Sequence, residues 1–303
     1  MTTVNVKLLH DAAERVNTDF RTVPTSPVRI DDLSRISPSD LMEIRQRYVG
    51  NGFGVIELAN DEPTPDALTR LGEALGLSEP FIPPLYRTGG KEPEAVSRIS
   101  AARNAGTSDA DHPSFGSTAG QSLHTDGTLQ DIGLVKASLL LCETAAAEGG
   151  DTILFNTSAA IAALLNEDPA AVLALATPGT LVRRATINGS VEANHGSLCA
   201  VLNGSLVCRY SVTATDSWAY PDDVDRAALD RGIAWLTAHS RKGNEFFLQF
   251  KLAPGHAIVF DNTRVSHGRT PYRDSGESHR NLYRALFLEH PQEIRATVGG
   301  ELP

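Results

Sequence analysis

Two short polar motifs, His124-Thr125-Asp126 and Ser266-His267-Gly268-Arg269, lie far apart in this chain of 303 residues. In an extended segment, side chains two residues apart point to the same face, so His124 and Asp126 can both reach one metal ion. A third ligand has to come from elsewhere. His267 is the best candidate, because it follows a strand-like run and the turn-prone Asp261-Asn262. A chain that uses this set must bring both motifs to one point.

These three side chains suit ferrous iron. Imidazole and carboxylate bind Fe(II), and two histidines with one carboxylate on one face of an octahedron leave the opposite positions open. Non-haem oxygenase chemistry needs those positions for a co-substrate and for O2. The competing interpretation is a chance pair at the surface, which is what most isolated His-x-Asp pairs are. The other histidines of the chain have no comparable set of neighbours.

The run 280–288 has strand composition and carries two arginines. Alternation places Arg280 and Arg284 on one face together with leucines, which is unusual for a solvated strand. Arginine is well suited to clamp a carboxylate through two parallel hydrogen bonds. The alternative is an edge strand whose arginines lie in water.

Short segments of strand composition dominate the chain after residue 120. The predicted strands are 134–142, 152–155, 180–187, 198–202, 205–210, 246–252, 256–260 and 281–289. Helical segments at 157–165 and 222–239 interrupt them. About eight short strands with inserted helices fit a jelly-roll barrel. We therefore predict a mainly β fold with flanking helices.

The length suits a single domain over residues 1–303. The predicted parts are a helical and strand-containing N-terminal part at 1–80, a lid over the substrate at 81–120, and the core at 121–290. The lid prediction rests on a segment rich in Pro, Gly, Ser and Asp directly before a metal motif. Tyr86, Arg87 and Arg98 are its candidate substrate contacts, and a disordered insert is the alternative.

Together these motifs resemble the TauD/TfdA-like Fe(II)/2-oxoglutarate-dependent dioxygenases, which include taurine, 2,4-D and γ-butyrobetaine dioxygenases. The family pattern is His-x-Asp/Glu, a Thr or Ser, a distal His after a long gap, and an Arg shortly beyond. Here 25 residues (127–151) separate Asp126 from Thr152, 114 (153–266) separate Thr152 from His267, and 12 (268–279) separate His267 from Arg280. The strong part of the resemblance runs from about 122 to 289.

The resemblance implies a role for each motif residue. His124, Asp126 and His267 would bind iron, while Thr152 and Arg280 would hold the distal carboxylate of 2-oxoglutarate. The implied fold is the double-stranded β-helix. Because Asp126 is retained, the resemblance excludes the related halogenases, in which a small residue replaces this carboxylate.

The implied reaction converts 2-oxoglutarate and O2 to succinate and CO2 while an unactivated C–H bond of a small molecule is hydroxylated. Desaturation, cyclisation and epoxidation use the same ligands and stay open as outcomes. A jelly-roll metal-binding protein without oxygenase activity, or a zinc isomerase, is a further alternative. It is disfavoured because such a protein would not need the oxo-acid clamp of Thr152 and Arg280.

A charge count in the implied site points to an anionic substrate. The positive charges of Fe(II) and Arg280 balance Asp126 and the two carboxylates of 2-oxoglutarate. Arg284 then adds one uncompensated charge, and a buried charge without a partner is costly. We therefore expect Arg284 to meet a carboxylate, sulfonate or phosphate of the substrate, such as an amino acid or sulfonate of natural-product metabolism, or to share the co-substrate's carboxylate. A salt bridge to a protein carboxylate is the alternative.

Four other side chains have predicted roles. Asn262 and Arg269 flank His267, and we expect both to fix the ligand strand. A contact with the substrate is the alternative for each. Trp218 and Tyr220 lie in an irregular stretch, and either could line the mouth of the pocket, although ordinary packing is the simpler interpretation.

Composition limits the partners and the compartment. A net charge of −10 with scattered Lys and Arg argues against nucleic acid as partner. No apolar run reaches the length of a membrane span, and no secretory leader is apparent. Three cysteines are too few for a disulfide framework. These features predict a cytoplasmic enzyme. A homo-oligomer stays open.

Overall fold

The computed structural model describes residues 5–13, 19–84, 95–101, 117–187, 189–276 and 278–292. The helices in these ranges are α1 (Val6–Ala13), α2 (Pro38–Asn51), α3 (Pro65–Ala74), α4 (Thr157–Glu167), α5 (Pro169–Leu175) and α6 (Arg226–His239). The strands are β1 (Val28–Ile30), β2 (Phe53–Leu58), β3 (Val96–Ile99), β4 (Gln121–His124), β5 (Ala137–Thr144), β6 (Glu148–Gly149), β7 (Thr152–Asn156), β8 (Leu181–Ile187), β9 (Ser190–Gly196), β10 (Cys199–Leu202), β11 (Ser205–Cys208), β12 (Asp216–Trp218), β13 (Phe247–Phe250), β14 (His256–Asp261), β15 (Val265–Arg269), β16 (Tyr272–Arg273) and β17 (Asn281–Phe287).

Two sheets form the centre of the fold. One has the strand order β1-β2-β14-β5-β17-β3, and the other has the order β13-β7-β15-β4. Buried apolar side chains of both sheets form one cluster, which includes Phe53, Ile258 and Leu282 from the first sheet and Leu154 and Val265 from the second. The predicted mainly β, jelly-roll core with flanking helices is confirmed.

Helices α2 and α3 cover the outer face of the six-stranded sheet. Helix α2 begins where the Ser37 side chain accepts a hydrogen bond from the Asp40 backbone N–H, and it ends at Gly52 with φ of 80°. Its buried residue Ile44 packs in a cluster with Leu68 of α3 and Leu141 of β5. Burial of each such side chain stabilises the fold by roughly 1.5–3 kcal/mol.

The remaining helices cover the other sheet. Buried residues of α1, α4, α5 and α6 form a cluster with the β10–β11 hairpin and with Phe155 of β7. A separate three-stranded sheet, with the order β12-β8-β9, extends from this side. No helix in the described part of the chain is long and apolar enough to span a membrane.

Strand β17, which begins directly after Arg280, places its inward-facing side chains as alternation predicts. Leu282 packs in the cluster between the two central sheets, whereas Tyr283 and Phe287 pack under α2 and α3. Arg280 and Arg284 belong to the inward-facing set, and both line an internal pocket.

Two parts of the fold differ from the expectation. Residues 96–99, which fall in the predicted lid, form β3, the edge strand that pairs with β17. Tyr86 and Arg87 lie outside the described residues. Helix α5 and strands β9 and β12 were not predicted, and Trp218 lies in β12 and not in an irregular stretch. The seven-residue α5 is capped by Asp168 and begins at Pro169, whereas most side chains of β9 are exposed and the strand has no buried face.

Candidate metal and co-substrate site

Cross-strand pairing brings the two distant histidines together. Strands β4 and β15 are antiparallel neighbours, and His124 is the direct register partner of His267. Their ring centroids are 4.2 Å apart. One ligand atom from each of His124, Asp126 and His267 lies within 4.8 Å of the others, and all three residues are buried. The pairing of β4 with β15 therefore builds the set that the motif spacing predicts.

The two imidazoles are in the state that a metal needs. Burial lowers the pKa of His267 to about 3 and also lowers the pKa of His124, so both rings are neutral at ordinary pH. The His124 Nδ1 donates to the Ser122 carbonyl at 2.9 Å, which leaves its Nε2 as the ligand atom. Among the described residues, the buried Nδ1 of His267 has no hydrogen-bond partner. Two neutral imidazoles beside a carboxylate fit Fe(II).

Three side chains hold the Asp126 carboxylate and its backbone through four hydrogen bonds. Arg284 Nη1 donates to Oδ1 at 2.7 Å, and Ser138 Oγ donates to Oδ2 at 2.7 Å. Asn262 accepts a hydrogen bond from the Asp126 backbone N–H at 2.8 Å and donates to its carbonyl at 3.2 Å. Burial alone would raise the pKa of Asp126, but the Arg284 guanidinium and the hydrogen bond from Ser138 outweigh it and hold that pKa well below the usual range. The carboxylate is therefore ionised and fixed in direction.

Arg183 supports the backbone of the His124-Thr125-Asp126 motif, and the sequence pattern did not predict this role. It is 1% exposed, and its Nη2 donates to the Thr125 carbonyl at 2.9 Å. Its Nε lies 3.4 Å from Asp216, which also accepts from the Ser211 and Thr213 hydroxyls at 2.6 Å each. No sequence signal marks this role, because the contact depends on how β8 packs beside the metal motif.

The pocket beside the histidines contains the predicted co-substrate residues. Its lining is Ile99, Gln121, His124, Leu140, Thr152, Phe260, His267, Gly268, Arg269, Arg280, Leu282 and Arg284. Burial, and next the nearby Arg269, lower the pKa of Arg280 to about 10, so it stays cationic at neutral pH. Gly150 makes room for Arg280: a Cβ at that position would lie 3.1 Å from the arginine Nε.

Three of the other candidates do not line this pocket. Arg98 lies opposite Tyr283 on the other face of the sheet, where it donates to Asn281 and Glu143 at 2.9 Å each. Its predicted substrate contact has no support in this geometry. Trp218 packs against the helical cluster, and Tyr220 is exposed and donates to Asp230. Tyr86 lies outside the described residues.

Comparison with known proteins agrees with this geometry. Residues 16–286 match the model of the family described as "Taurine catabolism dioxygenase TauD, TfdA family". A "Uridine-5'-phosphate dioxygenase" of Amycolatopsis sp. is 38% identical over 283 residues, which is 92% of this chain and 98% of that protein. A protein of the same name from Streptomyces sp. is 32% identical and covers 85% of this chain and 92% of its own length.

A solved structure of asparagine oxygenase with Fe(II), 3-hydroxyasparagine and succinate superposes with a TM-score of 0.58. It is 16% identical and covers 93% of this chain and 90% of its own, so it supports the fold alone. The family match spans most of the chain and includes the His124, Asp126 and His267 set. This chain therefore belongs to the TauD/TfdA family and is an Fe(II)/2-oxoglutarate-dependent dioxygenase that uses O2.

Proposed function

We propose that this enzyme oxidises a carbon of uridine 5′-phosphate or of a closely similar nucleotide. The observation that carries this proposal is the 38% identity over 92% of the chain with a relative named for that substrate. The charge count made in the sequence, which included phosphate among the candidate anions, is consistent with it. A nucleotide replaces the amino acid or sulfonate as the first substrate to test.

In this proposal the residues of the pocket divide the work. His124, Asp126 and His267 hold the iron, and Thr152 and Arg280 hold the distal carboxylate of 2-oxoglutarate. Bound iron and co-substrate supply the oxidising power, and the protein orients the reactants and excludes water. The apolar side chains of Leu140, Phe260 and Leu282 line the same pocket and support this exclusion.

Arg284 is proposed to meet the substrate anion as well as Asp126. A guanidinium has five N–H donors in a planar fork, so one arginine can serve two anions at once. Arg284 also lines the pocket next to both histidines. A phosphate held there would lie beside the iron, which would place the carbons of the ribose near the reacting centre. Three further statements stay predictions: the contact of Tyr86 with the substrate, the cytoplasmic location, and the lack of a nucleic-acid partner.

The test is a substrate comparison with succinate as the readout. The enzyme is first loaded with Fe(II) anaerobically and then receives 2-oxoglutarate and air. Each reaction contains one candidate substrate: uridine 5′-phosphate, uridine, cytidine 5′-phosphate, taurine or asparagine. We expect uridine 5′-phosphate to raise succinate formation well above the substrate-free rate, and uridine to do so weakly because it lacks the anion. His267→Ala, which lacks an iron ligand, serves as the inactive control. Stimulation by taurine or asparagine but not by any nucleotide would overturn the proposal.

Mass spectrometry of the product then identifies the outcome. Gain of one oxygen atom indicates hydroxylation or epoxidation of a double bond, and loss of two hydrogen atoms indicates desaturation or cyclisation. Hydroxylation of the carbon that carries the phosphate ester gives an alcohol that expels phosphate. Release of inorganic phosphate would therefore place the oxidation at that carbon.

A further inference from the structure

Arg269 occupies a position beside the co-substrate residues that the family resemblance does not assign. It lies two residues after His267 in β15, so both side chains point to the same face of the strand. Its direct register partner in β7 is Thr152. Residues directly opposite each other in antiparallel strands have Cβ atoms about 4.5–5.5 Å apart. The arginine side chain therefore starts next to Thr152 on the pocket side of the sheet.

The guanidinium of Arg269 also shares an aromatic partner with Arg280. The Cζ atoms of Arg269 and Arg280 lie 4.8 Å and 5.3 Å from the ring centroid of Tyr272. Both arginines line the pocket. They are 5% and 6% exposed, so water screens neither charge well. Two cations are thus held near one ring and beside one threonine.

Within the residues that the structure describes, neither Arg269 nor Arg280 is paired with an anion. In the described part of the chain, no carboxylate lies within ion-pairing distance of either guanidinium. Arg269 Nη2 donates to the neutral carbonyls of Ser117 and Ala119 at 2.7 Å each, and no described residue makes a hydrogen bond with its buried Nε. Two buried like charges repel and lose hydration, and this cost falls when an anion binds between them. The arrangement is complete only with an anionic ligand.

We propose that Arg269 is a second cation for the distal carboxylate of 2-oxoglutarate and sets the selectivity for dicarboxylic oxo-acids. Arg280, Thr152 and Arg269 together receive that carboxylate, whereas the other end of the oxo-acid chelates the iron. The proposal rests on family membership and not on the identity of the substrate, so it can fail or hold whether or not uridine 5′-phosphate is oxidised. The competing role for Arg269 is structural, as an anchor for the backbone at Ser117 and Ala119.

The experiment compares two oxo-acids that differ only in the distal group. Fe(II)-loaded protein is titrated anaerobically with 2-oxoglutarate or with 2-oxopentanoate, which lacks the distal carboxylate, and the visible charge-transfer band of the chelate reports binding without turnover. For Arg269→Gln we expect the Kd for 2-oxoglutarate to rise about 10- to 100-fold, as loss of a hydrogen bond to a charged group predicts. The Kd for 2-oxopentanoate should stay within about twofold by the same reasoning. Arg273→Gln, an exposed arginine next to Tyr272, is the matched control and should bind both acids as wild type does.

Two results would overturn the proposal. If Arg269→Gln raises the Kd for both oxo-acids equally, Arg269 has the structural role. If it changes neither Kd, Arg269 does not reach the carboxylate. Arg280→Gln gives an independent test if Arg269→Gln does not fold. With Arg269 still present, Arg280→Gln should keep a several-fold preference for 2-oxoglutarate over 2-oxopentanoate. Complete loss of the preference in that variant would mean that Arg280 acts alone.

Discussion

The carboxylate of Asp126 and the guanidinium of Arg284 form a buried ion pair, with 2.7 Å between Oδ1 and Nη1. Their side chains are only 4% and 7% exposed. The pair connects an iron ligand to β17, and Arg280 directly precedes this strand. The sequence left a salt bridge to a protein carboxylate as the alternative partner of Arg284. The structure contains this salt bridge. Arg284 orients the iron ligand, and its contact with a substrate anion is an additional proposed role.

Substitution of Arg284 should weaken both iron and substrate binding. We expect Arg284→Met to reduce iron affinity about 10- to 100-fold, the usual effect of removing a group that orients a metal ligand. It should also raise the KM of an anionic substrate. Arg284→Lys, which keeps the charge, should lie between Met and wild type. Iron affinity is measured without substrate, so that the two effects are separated.

The control for Arg284 is Tyr283→Phe, which removes a hydrogen bond to Glu143 on the opposite face of the same strand. It should leave iron affinity unchanged. Unaltered iron affinity in Arg284→Met, together with a raised KM, would show that the ion pair does not orient the ligand.

Gly150→Ala should impair co-substrate binding. Gly150 has φ of +71°, and an added Cβ would lie 3.1 Å from Arg280 Nε and 3.2 Å from Ala146 Cβ. The backbone strain costs about 1–3 kcal/mol of folding free energy. The crowding should in addition displace Arg280 and raise the Kd for 2-oxoglutarate. Gly204→Ala is the matched control, because Gly204 has φ of +76° and nothing within 4 Å of an added Cβ. If both variants bind 2-oxoglutarate equally well, the crowding of Arg280 is without consequence.

The three cysteines should be unreactive in the native protein. Cys142, Cys199 and Cys208 are free and buried. Burial raises the pKa of Cys142 to about 11 and that of Cys208 to about 12, so the reactive thiolates are absent at neutral pH. Above the ordinary thiol pKa the unfolded chain releases protons that the native protein keeps, and stability should therefore fall as the pH rises beyond that value. A thiol reagent at pH 8 should label all three residues only after unfolding. Rapid labelling of folded enzyme would contradict the burial.

The sequence could predict those site residues that belong to short motifs with a recognisable spacing. His124 and Asp126 are two residues apart, and the gaps to Thr152, His267 and Arg280 match a family pattern. The structure brings all five to one place. Alternation along 280–288 also predicted the inward direction of Arg280 and Arg284, because the strand period is two.

Contacts that depend on packing could not be predicted in this way. The direction of Arg98 follows from the pairing of β3 with β17, and that pairing was hidden because the segment was assigned to a lid. The partnership of Arg269 with Thr152 needs the register between β15 and β7, which no local pattern reports. Helix α5 could have been found from Asp168 before Pro169, a cap followed by proline at the first helical position.

Substitution of Arg183 tests whether this arginine stabilises the fold and positions the two iron ligands next to Thr125. Arg183→Met leaves Asp216 buried without its cation, and we expect a loss of about 3–5 kcal/mol in the free energy of unfolding. It also removes the donor to the Thr125 carbonyl between the two ligands, so iron affinity should fall about 10-fold or more. Denaturant unfolding and an anaerobic iron titration measure the two effects. Arg184→Gln, an exposed neighbour that donates to Ser217, should change neither.

A double variant separates the ion pair from the positioning of the ligands. In Arg183→Met with Asp216→Asn, both buried charges are gone, and much of the lost stability should return because no unpaired carboxylate remains. Iron affinity should nevertheless stay low, since the hydrogen bond to the Thr125 carbonyl is still absent. Recovery of iron affinity in parallel with stability would show that Arg183 acts on the site only through the fold.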